Sequence, residues 1–370
     1  MIEISRYEVQ GGVSEYHVMI HVDNPRLAYA EQVKSVLSAY TQLLEGELKG
    51  AVTVLKRFFL SDAANQSDYL QTLLVEQEAC PLSIVEQSPL NGTKIALWAY
   101  LQKGVELKAL SHGMYEVKHG AYRHLWMAGA CHETSDAEAQ TRQLFDDYIT
   151  LLREQGCTLA ENCLRTWFFV QNVDVNYAGV VKARNEVFAT QNLTNQTHFI
   201  ASTGIAGRHA NHHVSVLMDA YAVQGIRQEQ IRYLYAPTHL NPTYEYGVSF
   251  ERGTAVDYGD RRQVFISGTA SINNKGEVVH PGDICKQTLR MWENVEVLLA
   301  EAECTFEHVS HLIVYLRDVA DYIVVKEMFD ERFPNIPKVY LLAPVCRPGW
   351  LIEMECMAVK TIHNERFSAY

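Results

Sequence analysis

A chain of 370 residues, 48% hydrophobic and 21% charged, has length for two or three domains and apolar content for a packed core, which excludes a disordered chain. A formal net charge of -12 without any Lys/Arg run excludes nucleic acid as the primary partner, because a phosphate backbone needs a basic face; a local basic pocket for a small anion is still compatible. No apolar run reaches the roughly 20 residues that span a bilayer, and the start MIEISRYEVQ lacks a signal-peptide pattern.

Eight cysteines (Cys80, Cys131, Cys157, Cys163, Cys285, Cys304, Cys346, Cys356) stand singly, with no C-x-x-C pair. They predict a reduced, cytoplasmic chain in which most thiols are small buried hydrophobes.

In chain order the same succession of elements is read three times. The first copy runs from a strand, YHVMIHV, through a helix holding Gln32 and Leu43-Leu44. A strand TVLKRFFL, a helix SDYLQTLL and a closing strand KIALWAYL complete it. The second copy starts at HLWMAGA, and Ser135 with Glu138 predicts a capping box for its first helix. Leu144, Tyr148, Leu151 and Leu152 mark the buried stripe of that helix. CLRTWFFV, AGVVKARNEVF and VSVLMDAYAV follow. The third copy has QVFISGTASI, a helix that Asp283 would cap, then HLIVYLR, DYIVVKEMFDERF and LIEMECMAV.

The second and third copies are in register, and the weaker first copy follows with a small gap. Gln140-Thr141 is followed by Leu151-Leu152, Glu154, Cys157-Thr158 and Asp174. Gln287-Thr288 is followed without a gap by Leu298-Leu299, Glu301, Cys304-Thr305 and Asp321. Gln32 precedes Leu43-Leu44 by the same interval. The expected architecture is α+β: three tandem modules, each a mixed sheet with helices on one face. Their bare sheet faces would be buried against one another around a pseudo-threefold axis, a pseudo-trimer in one chain. The expected divisions are 1–125, 126–225 and 262–370, with a Tyr/Pro/Gly-rich connection over 226–261 that is too long for a plain turn.

The closing strands differ where it matters. In LIEMECMAV the alternation puts Glu353 and Glu355 on one face, opposite Ile352 and Met354. Aligned from the strand ends, Glu355 matches Asp219 and Trp98, whereas Glu353 matches Leu217 and Ala96. A carboxylate in an otherwise apolar sheet position is costly unless paired or functional, and burial would raise its pKa toward a general acid. The bland alternative is a solvent-facing group or a core salt bridge. Arg347 stands just upstream in APVCRPGWLIE, where a guanidinium could grip a carboxylate; Cys346 beside it reads by residue type as a buried hydrophobe.

Arg252, among Tyr246, Gly247 and Gly253, and Arg184, on the helix AGVVKARNEVF, are further anion contacts to consider. Arg184 alone reads as a solvated helix face. Arg208, His209, His212 and His213 suggest a metal, but GIAGRHANHH reads as a loop into a strand, so no metal is expected there. His280 reads as an exposed loop residue. No G-x-G-x-x-G, P-loop or G-x-S-x-G occurs, and no cofactor is expected.

From about Arg262 to Lys360, FISGTASI, HPGDICKQTLRMWENVEVLLAEAECTFEHVSHLIVYLRDVADYIVVKEMFDERFP and LIEMECMA resemble the RidA (YjgF) superfamily. That resemblance implies small trimers with pockets between subunits and, in many members, hydrolysis of enamines or imines. The family's substrate arginine follows a Pro before the penultimate strand; here the stretch is Ile336-Pro337-Lys338-Val339, which argues against that hydrolysis.

RTWFFVQNVDVNY, YGVSFERG, FISGTASI with HPGD, and VCR…LIEMEC are similar to the chorismatase branch of the superfamily, over roughly 160–358. The resemblance implies that Glu353 is the proton donor and that Cys346 directs the outcome toward a hydroxybenzoate. It also implies Arg252, Arg347 and Arg184 as substrate contacts, with main-chain groups of Gly268 and Thr269 lining the pocket. Two family features are altered: an arginine-rich helix motif has lost its last arginine near Gln191, and a Gly-His pair is Asn273-Asn274.

The resulting expectation is a chorismatase-like lyase or hydrolase without metal or cofactor. It would act on a small anionic metabolite, as a monomer or a small homo-oligomer. The alternatives are a RidA-type enamine/imine hydrolase and a non-catalytic metabolite-binding protein.

Overall fold

In a computed structural model, which describes all residues except Glu76, Glu78 and Ser135, the chain folds as an α+β protein of three mixed sheets with helices packed on their outer faces. Each sheet repeats one topology. The first strand of a copy pairs antiparallel with the closing strand, the closing strand with the second strand, and the second strand runs parallel to the penultimate one. In the third copy these are Arg261–Ala270, Ile352–Thr361, Val309–Leu316 and Lys338–Leu342.

Local sequence explains the helices. Asp136 caps Ala137–Glu154 by accepting the Ala139 N–H at 2.8 Å, and Asp283 caps Ile284–Glu301 by accepting that of Lys286 at 3.0 Å. The capping box expected from Ser135 lies outside the described residues. The repeated glutamine has a structural cause. Gln32, Gln140 and Gln287 are fully buried, and each carboxamide oxygen accepts an N–H next to the start of its closing strand: Lys94, Ser215 and Leu351. One side chain per copy thus ties the first helix to the closing strand.

Two boundaries differ from the sequence reading. The second sheet already begins with Glu106–Ala109, Met114–His119 and Tyr122–Cys131, so the division expected at 125 falls near Gly104. The polar character of ELKA hid that edge strand. The connection over 226–261 supplies two strands, Ile231–Leu234 and Gly253–Asp257, to the third sheet, and only its middle is irregular.

The inner sheet faces meet in one core. Trp98 packs on His311, Tyr100 on Trp126, and Tyr221 on Phe265, so every pair of modules is in aromatic contact. Short main-chain links close the seams: Glu86 with Arg208, Leu341 with Pro89, and Ile205 with Val345. Among the described residues no helix is long and apolar enough to cross a membrane.

Candidate active site

A cavity of about 510 Å³ opens between the second and third modules, within the range of ~300–1,000 Å³ of small-molecule sites. The second module supplies the helix Val173–Thr190 and the strand Ala201–Ala206; the third supplies its first and closing strands and the segment before the latter. The irregular middle of the connection covers it with Tyr246, Val248, Phe250 and Arg252.

At the equivalent seam between the first and second modules, Gly129 presses so closely on the main chain of Leu82 that a Cβ would fall 2.7 Å from its carbonyl oxygen. Gly268 occupies the matching position in the third module, but there a carboxyl, that of Glu353, fills the space in front of it, and the seam opens into the cavity.

Glu353 is 5% exposed and lines the cavity. Burial first, and the charge of Glu355 second, push its pKa up to about 8, so the carboxyl holds its proton at neutral pH; Arg252 and Arg165 oppose the shift. The strand register sets Glu353 opposite Tyr315 on one side and Ala270 on the other.

Three arginines face the same space. Arg184 is 1% exposed, and neither its Nε nor its Nη2 has a hydrogen-bond partner. Arg252 lies between the rings of Tyr246 and Phe250, its guanidinium carbon 5.5 and 5.2 Å from their centres. Its Nη2 donates to the main-chain oxygen of Asn241 at 3.1 Å, and its Nε has no partner. Arg347, half-buried, stacks between Tyr246 and Trp350 at 4.5 and 4.8 Å. Among the described residues none of the three forms an ion pair with a carboxylate. Unneutralised guanidiniums in a partly apolar cavity are a site for an anion.

Cys346 stands on the wall beside Tyr177. Burial, and then the nearness of Glu353, push its thiol up to about 12, so it is a neutral group here. The Tyr177 ring lies across Gly204, where a Cβ would come within 2.6 Å of it.

The sequence-derived residues therefore divide. Glu353, Cys346, Arg347, Arg252, Arg184 and Gly268 all border the cavity. Thr269 does not: its hydroxyl donates to the Ser267 carbonyl at 2.8 Å and its backbone pairs with Met354. The Gly268 N–H is not free either, since it donates to Thr203 Oγ1 at 2.8 Å. Arg184 is the inner face of its helix, not a solvated one.

Sequence reasoning missed Tyr177, Phe250 and Trp350. Tyr177 had a signal: it precedes Arg184 by two helical turns and so shares its face. His280 and the Arg208/His209/His212/His213 cluster border none of this, and no group of three His, Cys, Asp or Glu suited to a metal occurs among the described residues.

Comparison with known proteins bears on this geometry. A family model described as endoribonuclease L-PSP matches residues 253–360. A 3-hydroxybenzoate synthase of Streptomyces hygroscopicus is 27% identical over 256 residues, covering 63% of this chain and 73% of that protein. A RutC family protein of Pyrococcus abyssi is 35% identical over 100 residues, 26% of this chain and 78% of that protein. The crystal structure of a chorismatase superposes with a TM-score of 0.68 at 18% identity, over 93% of this chain and 98% of that one.

Proposed function

Since the chain belongs to the RidA (YjgF) superfamily and is a chorismatase-like member of it, we propose that it is an enzyme that releases pyruvate from chorismate or a closely related dicarboxylate and leaves a hydroxybenzoate-type ring. One observation carries the reading: a buried carboxyl that keeps its proton at neutral pH faces a cavity whose three arginines form no ion pair with a carboxylate among the described residues.

Chorismate carries two carboxylates, and the free donors of Arg184 and Arg252 with the stacked guanidinium of Arg347 suit two anions on one small ring. Glu353 delivers its proton to the methylene carbon of the enolpyruvyl group, which turns the ether carbon into an electrophilic oxocarbenium centre. The arginines hold the substrate so that this carbon meets the carboxyl, and the aromatic wall of Tyr246 and Trp350 fits a flat ring.

A hydroxybenzoic acid and pyruvic acid together hold the atoms of chorismic acid. The conversion therefore needs neither water nor a redox partner: one proton enters at the methylene carbon, the bond between the ring carbon and the ether oxygen breaks so that this oxygen leaves as the keto oxygen of pyruvate, and the adjacent ring carbon loses its proton as the ring becomes aromatic. Cys346, a neutral thiol at the wall, would steer the ring toward the aromatic product, and the likeness to a 3-hydroxybenzoate synthase supports that product class. The test is incubation of purified protein with chorismate, with pyruvate and aromatic products assayed. Turnover abolished by Glu353→Gln is expected, and no turnover of any candidate by the wild type overturns the reading.

The second reading, an enamine/imine hydrolase, draws support from the RutC family likeness over 100 residues and from the family match over residues 253–360. Against it, Lys338 stands where the resemblance expects the substrate arginine, and its amine donates to the carbonyls of Phe333 and Ile336 rather than bordering the cavity. Imines generated by an amino-acid oxidase would reveal any deamination.

A further inference from the structure

Glu355 follows Glu353 by two residues on the same face of the closing strand, one layer deeper toward the axis where the modules meet. It is 2% exposed and held by side chains from each module. Arg165 donates to its Oε2 at 2.6 Å, and the Thr203 hydroxyl donates to the same oxygen, both from the second module. Trp167 Nε1 and the Tyr315 hydroxyl donate to Oε1 at 3.0 and 3.1 Å. Arg57, from the first module, lies 3.8 Å from Oε1 and is itself bound to Asp219 at 2.7 Å. Asp219 completes its shell with the Gly129 N–H at 2.7 Å.

The charges of this cluster balance. Two guanidiniums, Arg57 and Arg165, face two carboxylates, Asp219 and Glu355. A third carboxylate at 353 would leave the buried cluster with a net negative charge, which a low-dielectric interior disfavours.

The other polar groups facing Glu353 do not supply the missing cation from within the core. Its strand neighbours offer Tyr315 and the uncharged Ala270; the helix Val173–Thr190 offers Tyr177 and Arg184 and, exposed at the outer wall, Lys182 and Glu186, which pair with Glu138 and Arg142; the covering segments offer Tyr246, Arg252, Cys346 and Arg347. The three arginines of that set lie on the cavity side, where a bound anion would claim them.

We propose that Arg57, Asp219, Arg165 and Glu355 form a charge-balanced cluster that acts as a set of positioning residues for Glu353, keeping its proton in place. The first module, which contributes none of its described residues to the cavity, thereby takes part in setting the acid. Thr203 joins the cluster to the site: its oxygen also accepts the N–H of Gly268, the residue against which the Glu353 carboxyl rests. Binding of a dianionic substrate would add to the effect, because neutralising Arg252 removes the main cation that favours the ionised form of Glu353. The consequence for catalysis rests on the reading of Glu353 as the proton donor; the protonation itself does not.

The experiment measures that protonation in substrate-free protein. The infrared carbonyl band of a protonated buried carboxyl, assigned by its loss in Glu353→Gln, is followed against pH in the full chain. The wild-type midpoint is expected near 8. Glu355→Gln removes the deeper anion and is expected to lower the midpoint by at least ~1 unit, about tenfold in proton affinity. Asp219→Asn frees Arg57 to face Glu355 alone and lowers it too, whereas the double variant Arg57→Gln/Asp219→Asn restores the balance and the midpoint.

A purely structural role predicts the reverse order, with the double variant most disturbed. Midpoints that stay together in folded Glu355→Gln and Asp219→Asn, or a double variant lower than Asp219→Asn, overturn the proposal. Should Glu355→Gln fail to fold, the Asp219→Asn and double-variant pair decides alone. Loss of chorismate turnover in the wild type would defeat the proposed function without touching this result.

Discussion

The carboxyl of Glu353 occupies the space into which a side chain at position 268 would project: a Cβ on Gly268 would fall 2.9 Å from Glu353 Cδ. Gly268 has an ordinary backbone conformation, so its lack of a side chain serves this approach and not a turn. The register shift between Ile266 and Thr269, where the first strand bulges against the closing strand, gives the room.

Gly268→Ala should therefore displace the acid without unfolding the sheet. The expected result is a loss of turnover of at least tenfold, about 1.4 kcal/mol of transition-state stabilisation. The melting temperature should change by only a few degrees, and the wild-type pH dependence of whatever activity is left should shift, since the carboxyl has been moved.

The elevated pKa of Glu353 predicts both a rate profile and a stability profile. As a proton donor it is active below about 8, so kcat/KM should fall as pH rises through that value. For stability the sign is set by the folded state holding the proton more tightly than the unfolded one. The contribution is complete below the ordinary value of 4.5 and is lost as pH rises toward about 8. Glu353→Gln should accordingly be inactive yet more stable than wild type at pH 8, by ~4 kcal/mol at one pKa unit per ~1.4 kcal/mol, with most of the gap gone by pH 5. Denaturant unfolding of both proteins at the two pH values measures it.

Arg184 gives a prediction of the same kind from the substrate side. A guanidinium 1% exposed with two unpartnered nitrogens is destabilising in the free protein and earns its place only when an anion arrives. Arg184→Met should raise the melting temperature or leave it unchanged while raising KM for a dicarboxylate at least tenfold. A thermal scan with and without chorismate separates the two: the ligand-induced shift should shrink in the variant.

What the sequence made legible follows from what repeats. Three copies of one strand–helix–strand–helix pattern reveal the modules, and the exception at Glu353 among Ala96 and Leu217 marks the odd module out. Glu355 was as visible, but its partners were not, because Arg57, Arg165 and Thr203 come from other modules and are brought together only by packing around the axis. Arg184 taken alone read as a solvated face for the same reason: its helix face is covered by the connection, whose Phe250 ring lies 5.9 Å from the guanidinium carbon. Thr269 was expected through its main-chain group, but its backbone pairs with Met354 of the closing strand and the residue does not border the cavity. The edge strand Glu106–Ala109, exposed and charged, carries no alternation strong enough to announce itself.

Cys346 tests how the outcome of the reaction is chosen. Its thiol, pushed up to about 12 by burial and by the neighbouring Glu353, is neutral through the working range and is not a nucleophile waiting to be used. Two results should follow. Iodoacetamide at pH 8 should leave Cys346 unmodified over a time that labels an ordinary exposed thiol, as mass spectrometry of the digested protein would show. Cys346→Ala removes a polarizable group from the wall without touching the acid or the arginines, so chorismate consumption should stay within about tenfold of wild type. The product should change instead, the aromatic hydroxybenzoate giving way to a non-aromatic diol as water enters the space the sulfur held. An unchanged product ratio would remove Cys346 from any steering role, and rapid alkylation would show a thiolate that burial beside a carboxyl does not permit.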